Sequence, residues 1–389
     1  MALKVLECTR RTAQFQSQLA RRMCASIIST LSHDFSPIKR THPEAGNPPA
    51  WRPLGGWHSV QCLGGSQWLE VGAPGDRPAS PGLLTELKLA VPWGHIAAKA
   101  WGSRQGPPVL CLHGWLDNAN SFDRLIPLLP QEFHYVAMDF GGHGLSSHYS
   151  PGIPYYYQNF VNEIRRVVAT LKWNRFTLLG HSFGGTVGGM FSCVFPEMVD
   201  KLILLDATPF ALDSNEVENV LTYKRRAIEH TLQVEASQKP SQVLSPEEML
   251  QGFLKNNSQV GEECGRLLLQ RGTTQVGTGL KLNRDRRVAR PENSFEFVSK
   301  ELFMQFIKKL QARILFIKAL QGYYNVRREN DTDRDTLYFM VSALQSTLKE
   351  RFQFVEVPGN HYVHMKEPEQ VAGLISNFLK SEFSVLSQL

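Results

Sequence analysis

The sequence has no run of about 18 apolar residues, the length that a helix needs to cross a bilayer. Of its 389 residues, 42% are hydrophobic and 20% are charged, which is typical of globular chains. We therefore expect a soluble protein with no transmembrane segment. The length fits either one large α/β domain with an inserted subdomain or two ordinary domains.

Cysteine is also scarce, with six residues that are widely scattered and form no C-x-x-C pair. This spacing argues against a disulfide framework and predicts reduced thiols in an intracellular compartment.

A strong excess of charge is missing from most of the chain. The formal net charge is +6, but residues 1–82 alone hold nine basic and five acidic side chains, which leaves the remainder near neutral. A near-neutral body argues against a nucleic-acid groove, so we expect no nucleic-acid partner.

The first 82 residues differ from the rest in composition. Residues 1–40 contain arginine and serine with few acids, as mitochondrial transit peptides do, and a disordered extension is an equally good interpretation. Proline and glycine punctuate residues 41–82, which is typical of a linker. We predict that residues 1–82 are a disordered or targeting extension with a linker, and that folding begins near Leu84.

Short apolar runs typical of buried strands recur along the rest of the chain, and amphipathic helical stretches separate most of them. The runs occupy residues 109–112, 135–138, 176–179, 202–205, 314–317 and 352–357. This alternation predicts an α/β fold with a mostly parallel, twisted sheet and helices on both faces.

One interval interrupts the alternation. Residues 209–312 show a helical pattern without a strand, including a Ser-x-x-Glu capping signal at Ser245. We predict a helical cap insertion here, over the C-terminal edge of the sheet, between core segments 83–208 and 313–385. Leu250, Phe253 and Leu254 could shape an acyl pocket, although their helical spacing favours the core of the insertion.

A serine lies between glycines directly after one of the predicted strands. Residues 180–184 read Gly-His-Ser-Phe-Gly and fit the pattern G-x-S-x-G, with a helical stretch following. Such a strand-to-helix turn is so tight that side chains at the glycine positions would collide, and it lifts the serine hydroxyl above the sheet. The pattern predicts a nucleophilic role for Ser182, with the helix N-terminus favouring the negative charge of acyl transfer.

Two backbone N–H groups are candidates for the oxyanion hole. In this fold, one comes from the loop after an earlier strand and the other from the residue that follows the nucleophile. The sequence His113-Gly114-Trp115 ends such a strand, so we assign the two groups to Trp115 and Phe183. His113 and Gly114 could equally form a turn that only packs this loop.

The general base is expected late in the chain, because the fold runs serine, acid, histidine. Residues 357–368, VPGNHYVHMKEP, offer His361 just beyond a strand and His364 three residues later. We take His361 as the base, because it lies at the strand exit, and His364 as structural. No third ligand cluster accompanies them, so neither a metal site nor a cofactor is predicted.

The motifs HGW at His113, DFGGHGLSS at Asp139, GHSFGG at Gly180 and GNHYVHMKEP at Gly359 resemble those of α/β-hydrolases. Longer segments, such as HGWLDNANSFDRLIPLLP, closely resemble the serine hydrolase-like protein family. The resemblance covers the chain from about Leu84 onward. It implies Ser182 as nucleophile and His361 as base.

The resemblance also implies a carboxylate three residues past a glycine, in the loop after the penultimate strand. Here that glycine is Gly322, and the expected acid is Asn325, an amide. An asparagine carries no charge and can favour the wrong histidine tautomer, so the site would be weakened unless another acid substitutes.

Two substitutes for the missing acid are available. Asp206 ends the strand after the nucleophile helix, and some α/β-hydrolases take their acid from that loop. Its alternative role is to cap the first helix of the insertion or to close the turn. The second group, Glu329, Asp331, Asp333 and Asp335, is more typical of a solvated turn. We favour Asp206 and keep a weakened site oriented by Asn325 as the alternative.

Three other features receive no catalytic role. Asp139 precedes the serine in the chain and is followed by a glycine-rich turn, so we interpret it as structural. The GGHG sequence after it lacks the context of a nucleotide-binding motif. Tyr155, Tyr156 and Tyr157 open a helix and are more typical of packing than of a ligand cage.

Two hypotheses follow for function. The first is a serine hydrolase of carboxylesterase or lipase type, acting on an ester, thioester or amide of a small apolar acyl group. The second is a hydrolase-derived binding protein with impaired turnover, which only Asn325 supports.

The two ends of the chain give conflicting signals for localisation. Ser387-Gln388-Leu389 resembles the Ser-Lys-Leu peroxisomal signal and would bind a peroxisomal import receptor. The family resemblance likewise implies peroxisome and cytoplasm, often perinuclear. The alternative is a mitochondrion, through the N-terminal extension.

Overall fold

The computed structural model describes residues 84–212, 216–237, 242–290, 296–322 and 332–381. Several predictions lie outside these residues, namely those on residues 1–82, Asn325, Glu329, Asp331 and the C-terminal Ser387-Gln388-Leu389. The side chain of Asp333 is likewise not described, whereas Asp335 is exposed on a helix.

Eight strands form one sheet in the order β1-β2-β4-β3-β5-β6-β7-β8. Strand β2 runs opposite to the other seven, so its pairs with β1 and β4 are antiparallel and all other pairs are parallel. All six predicted strands fall within the central and C-terminal members of this sheet. The strands are β1 (Thr85–Val91), β2 (Gly94–Trp101), β3 (Pro108–Leu112), β4 (His134–Met138), β5 (Phe176–His181), β6 (Val199–Leu205), β7 (Arg313–Gln321) and β8 (Phe352–Asn360).

The N-terminal hairpin of β1 and β2 was not among the predicted strands. Its register runs from Thr85 opposite Ala100 to Val91 opposite Gly94, where Gly94 turns the chain with a φ of 142°. Leu87, Leu89 and Val91 are buried at every second position, which is the period of a strand with one covered face.

Nine helices accompany the sheet in the described residues. They are α1 (Tyr157–Thr170), α2 (Phe183–Val194), α3 (Glu216–Ala236), α4 (Pro246–Asn256), α5 (Glu262–Gly272), α6 (Lys300–Ile307), α7 (Thr332–Leu348), α8 (Val363–Lys366) and α9 (Glu369–Lys380). No helix among them is both long and apolar enough to cross a membrane.

Two apolar cores lie on opposite faces of the sheet. In β3, Leu110 and Leu112 belong to the core that α1, α2 and α7 cover, whereas Val109 and Cys111 belong to the core that α9 covers. Both faces are therefore buried, which explains why the central strands are apolar at consecutive positions. The structure confirms the predicted α/β class.

Three cysteines of the described part, Cys111, Cys193 and Cys264, are free thiols.

The chain between β6 and β7 contains α3 to α6. The predicted capping box at Ser245 is present, because the Ser245 hydroxyl accepts from Glu248 N–H and the Glu248 side chain accepts from Ser245 N–H. The predicted boundaries of core and insertion, at residues 82/83, 208/209 and 312/313, stay a prediction.

The prediction that this interval contains no strand is wrong. Thr273–Val276 and Gly279–Leu282 form an antiparallel hairpin, and Phe297–Val298 pairs with Ala211–Leu212. The hairpin has threonine and valine before Gly277, whose φ of 58° suits a tight turn.

Candidate active site

Ser182 lies at the turn from β5 into α2, with a φ of 50° and a ψ of −118°. Glycines on both sides permit this strained backbone, because a side chain at their positions would collide with nearby backbone atoms. A Cβ on Gly180 would lie 2.6 Å from the backbone nitrogen of Gly185, and one on Gly184 would lie 2.2 Å from the carbonyl oxygen of Leu112. Ser182 itself is half-buried. The backbone contacts of the turn fix its position.

His361 follows β8 in the loop that leads into α8. Its Nδ1 lies 2.6 Å from Oδ2 of Asp206, so Nδ1–H donates to the carboxylate and the other ring nitrogen, Nε2, is left to accept a proton. The backbone of His361 is held on two sides: its carbonyl accepts from Nε2–H of His181 at 2.9 Å, and its N–H donates to Oε1 of Gln259 at 3.2 Å.

Asp206 is the first residue after β6, and its side chain is fully buried. Its φ of 43° is left-handed, and its N–H donates to the Ile317 carbonyl at 2.8 Å. While Oδ2 faces His361, Oδ1 accepts from Ala319 N–H at 3.0 Å. Both carboxylate oxygens therefore have partners, and Asp206 is the acid that the structure brings to His361.

Lys318 is a contact of Asp206 that the motifs did not reveal. Its ammonium lies 3.3 Å from Oδ1 of Asp206, its side chain is 1% exposed, and it also donates to the Ala319 carbonyl. A buried lysine beside a buried aspartate stabilises the ionised carboxylate. The signal was a charged residue within the buried strand ILFIKAL of β7.

Gly322 precedes Asn325 in the sequence and lies against the carboxylate of Asp206 in the structure. A Cβ at this residue would lie 2.2 Å from Oδ2 of Asp206, so only glycine leaves room for that carboxylate beside His361. The glycine expected before the acid in the sequence is thus kept, although here it accommodates an acid from β6. Asn325 itself lies outside the described residues.

The oxyanion assignment depends on the loop after β3 and on the start of α2. Trp115 is in that loop, and its indole N–H donates to the Val288 carbonyl at 3.1 Å; Phe183 is the first residue of α2. His113 ties the loop to the chain after β4, because its Nε2 accepts from Phe140 N–H at 3.0 Å and its Nδ1–H donates to the Gly114 carbonyl. His113 therefore packs the loop, as the simpler interpretation of it expected.

Buried histidines surround the loop and the strand ends. The ring centroid of His181 lies 4.6 Å from that of His361 and 4.1 Å from that of His364. The ring centroids of His113 and His143 are 5.2 Å apart. His364 is fully buried and pairs through Nε2 with the Ser121 hydroxyl at 2.8 Å, which is a structural contact. The structure thus separates His361 from His364 as the sequence interpretation did.

Burial keeps these structural rings neutral. It lowers the pKa of His113 to about 4 and those of His143 and His364 to about 3, and it also lowers the pKa of His181. Two buried acids shift in the opposite sense, because burial raises the pKa of Asp117 and of Glu163 to about 7.

These shifts predict how stability depends on pH. As pH falls from 6.5 to about 4, the unfolded chain binds protons on four histidines that stay neutral in the fold, which lowers the free energy of unfolding. Asp117 and Glu163 take up protons in the folded state between the ordinary carboxyl pKa and about 7, which opposes this with two protons. We expect a net loss on the order of 2–3 kcal/mol per pH unit near pH 5.

Urea unfolding at pH 7, 6 and 5 would measure this loss as a falling midpoint. His364→Gln is the matched variant, because it removes one titrating group and should flatten the dependence. A midpoint that is constant or rises as the pH falls from 7 to 5 would contradict the prediction.

Asp139 has a structural role, as the sequence interpretation assigned. Its carboxylate accepts from Ala119 N–H and Leu145 N–H at 2.7 and 2.8 Å. It also accepts from Nε of Arg271, at the end of α5, at 2.8 Å, and Arg271 reaches Glu86 of β1 at 2.7 Å through Nη1. Asp139 therefore connects the insertion, the N-terminal hairpin and the loop after β4.

The three apolar residues considered for an acyl pocket belong to the core of the insertion. Leu250 is 1% exposed and clusters with Leu269, while Phe253 and Leu254 pack against the same cluster. They join α4 to α5, which is the role in the core of the insertion that their helical spacing favoured. Tyr155 and Tyr157 of the tyrosine run are packed, since Tyr157 donates to the Thr186 carbonyl and Tyr155 to Asp285, whereas Tyr156 is exposed.

Metal chemistry has no candidate ligand set in the described part of the chain. Within its ranges, no three His, Cys, Asp or Glu side chains lie close enough together to hold a metal ion.

Comparison with known proteins identifies the fold and the family. The α/β hydrolase fold family matches residues 107–368. A serine hydrolase-like protein of Mus musculus is 73% identical over 300 residues, covering 77% of this chain and 96% of the relative. Serine hydrolase-like protein 2 of Homo sapiens is 70% identical, covering 80% of this chain and 99% of that protein.

A solved structure supports the same assignment. The crystal structure of a hypothetical protein from Pseudomonas aeruginosa PAO1 has a TM-score of 0.65 and 27% identity, over 76% of this chain and 99% of the other. The sequence relatives and the structural neighbour each cover at least 76% of this chain. The chain belongs to the serine hydrolase-like family of the α/β-hydrolase fold.

Proposed function

We propose that this protein is a serine hydrolase of carboxylesterase type that cleaves an ester, thioester or amide of a small apolar acyl group. The family and the fold support a hydrolase. The observation that carries the finer proposal is the 2.6 Å contact between His361 and Asp206, with Ser182 on a strained turn at the same edge of the sheet.

Ser182 is the nucleophile in this proposal. His361 accepts its proton at Nε2 while Oγ attacks the carbonyl carbon, and Asp206 stabilises the imidazolium through Nδ1–H. The backbone N–H groups of Trp115 and Phe183 donate to the oxyanion. His361 then protonates the leaving group, and water attacks the acyl-serine with His361 as base, which regenerates the hydroxyl.

A fluorophosphonate probe tests this proposal directly. The serine oxygen displaces fluoride from phosphorus, so an activated serine acquires a covalent label that mass spectrometry locates. We expect the label on the peptide that contains Ser182, its absence in Ser182→Ala, and slower labelling in His361→Ala. Ser192→Ala is the control, because that buried hydroxyl donates to the Gly188 carbonyl and should not affect labelling.

A binding protein without turnover is the rival proposal, and Asn325 is the reason to keep it. It requires that Ser182 stay unlabelled under conditions that label a known serine esterase. The contact between His361 and Asp206 favours the hydrolase, because it supplies the charge that Asn325 lacks.

We further propose that the protein resides in peroxisome and cytoplasm, including the perinuclear region, with an import receptor binding Ser387-Gln388-Leu389. Fluorescent reporters fused to the complete chain and to its first 40 residues would test this. Mitochondrial import by the first 40 residues alone would overturn it.

A further inference from the structure

A cleft of about 640 Å³ lies between the insertion and the loop after β4. Its lining includes three basic side chains, Lys281, Arg284 and Arg286, and one carboxylate, Asp285. That carboxylate is already engaged, because Arg287 donates to it at 2.7 Å. The cleft therefore carries an excess of positive charge on residues 281–286.

Arg284 has the most constrained position in this cleft. It is half-buried, and burial lowers the pKa of its guanidinium, although an arginine stays protonated at any physiological pH. Within the described ranges, no hydrogen bond or ion pair joins its side chain to another group; its electrostatic partner there is the more distant Asp117. The guanidinium of Arg284 is only partly shielded from water, and a bound oxyanion would give it charge-assisted hydrogen bonds that no described group supplies.

The segment around Arg284 is anchored on both sides. The Asn283 carbonyl accepts from Nε2–H of His148 at 2.7 Å, and Asp285 N–H donates to the Gly142 carbonyl at 2.9 Å. The Val288 carbonyl accepts from the indole of Trp115. Arg284 is thus held in place by contacts of its neighbours and not by contacts of its own side chain.

Asp117 connects the cleft to the proposed active site. It belongs to the loop that contains Trp115, and its Oδ2 lies 3.7 Å from Nδ1 of His181, the residue before Ser182. The positive charge of Arg284 acts on this buried carboxyl. Arg284 is therefore the residue of the cleft whose charge reaches the loop that is proposed to hold the oxyanion, while no residue of that loop lines the cleft.

We propose that Arg284 binds an anionic group of the substrate, a carboxylate or a phosphate, and so determines which esters the enzyme prefers. This inference rests on the proposed serine hydrolase function and names a substrate class for the same site. Arg284 pairs with either oxyanion through two parallel N–H groups, which adds geometric specificity to the charge.

Two pairs of matched esters test the proposal and distinguish the sources of the anion. The first pair is the butanoyl ester of 5-hydroxypentanoate and that of 5-methoxypentanol, so that the acyl group stays apolar and only the alcohol part carries the carboxylate. The second is the butanoyl ester of 4-hydroxybutyl phosphate and that of 4-methoxybutanol. We expect wild type to prefer the charged member of at least one pair by roughly 10–100-fold in kcat/KM.

Arg284→Gln should reduce that preference to about 2-fold, mainly through KM, and leave the neutral ester within about 2-fold of wild type. Arg266→Gln is the control, because it removes the same charge from an exposed arginine of α5 that pairs with Glu262. A wild type without any preference would overturn the proposal. So would an equal loss on charged and neutral esters in Arg284→Gln, which indicates a structural role through Asp117.

Binding without turnover separates this inference from the proposed function. In the Ser182→Ala background, calorimetry with both charged esters should show that Arg284→Gln weakens the binding of at least one of them by about 10-fold or more. That result would sustain the anion site even if fluorophosphonate failed to label Ser182. Equal affinity in the two variants would refute the anion site even if labelling succeeded.

Discussion

Replacing Asp206 by asparagine is expected to lower kcat for 4-nitrophenyl butanoate by roughly 10³–10⁴-fold, the scale seen when a triad aspartate becomes an amide. The carboxylate has the 2.6 Å contact with Nδ1 of His361 and fixes the tautomer in which Nε2 carries no hydrogen and can accept a proton. An amide can present its NH₂ group to that nitrogen instead, which favours the opposite tautomer.

The matched variant is Asn325→Asp, which restores the acid at the position that the family resemblance implies. If Asp206 is the acid, this change should leave kcat within about 3-fold of wild type. Asp206→Asn combined with Asn325→Asp should stay as slow as Asp206→Asn alone. A large gain in Asn325→Asp, or rescue in the double variant, would show that residue 325 occupies the acid position.

A folding control is needed for Asp206→Asn. The amide oxygen can still accept from Ala319 N–H, but Lys318 loses its buried counter-charge. Breaking a buried ion pair by neutralising one partner costs about 3–5 kcal/mol. Lys318→Met should relieve that loss in the double variant, and circular dichroism at the assay temperature would establish that each variant is folded.

Gly184→Ala is expected to lower the free energy of unfolding by about 3 kcal/mol or more. The new Cβ would lie 2.2 Å from the carbonyl oxygen of Leu112 and 2.7 Å from that of His113, and neither backbone can move without disturbing β3. The start of α2 must therefore shift, and the backbone N–H of Phe183 shifts with it. Urea unfolding and the labelling rate at Ser182 would measure the two effects.

Gly188→Ala is the matched control, because Gly188 lies on the same helix. Its added Cβ would lie 3.4 Å from the nearest atom, a methyl group of Leu112, and alanine favours helix over glycine. We expect it to be neutral or to stabilise by about 0.5–1 kcal/mol. Wild-type stability in Gly184→Ala would mean that the turn tolerates side chains and that the steric argument for the motif is wrong.

The central sheet could be predicted because it is buried on both faces, and such strands are continuous apolar runs that stand out against amphipathic helices. Strand β1 alternates apolar and polar residues instead, with charged side chains at Glu86 and Lys88, and Lys99 interrupts the short apolar run of β2. A search for apolar runs does not detect that pattern, whereas a period-two search of TELKLAV would have found it.

The nucleophile turn and the histidine could be located because local backbone geometry imposes glycine and a fixed order along the chain. The acid could not be chosen with the same certainty. In the sequence, Asp206 and Asn325 both follow predicted strands, whereas the room that Gly322 leaves for the Asp206 carboxylate is a contact between distant segments. Arg284 was missed for a related reason: a solitary arginine in a loop has no motif, and only its surroundings show that it lacks a partner.

Arg271 restricts how the insertion can move relative to the sheet. Its guanidinium joins α5 to Asp139 and Glu86, with the arginine side chain only 4% exposed and the aspartate fully buried. Swinging the whole insertion outward as a rigid lid would separate these charges, at a cost of several kcal/mol. Helix α3, by contrast, has no buried side chain in residues 219–236. The insertion should therefore open locally at α3 before α5 moves, with faster amide hydrogen exchange in α3 than in α5.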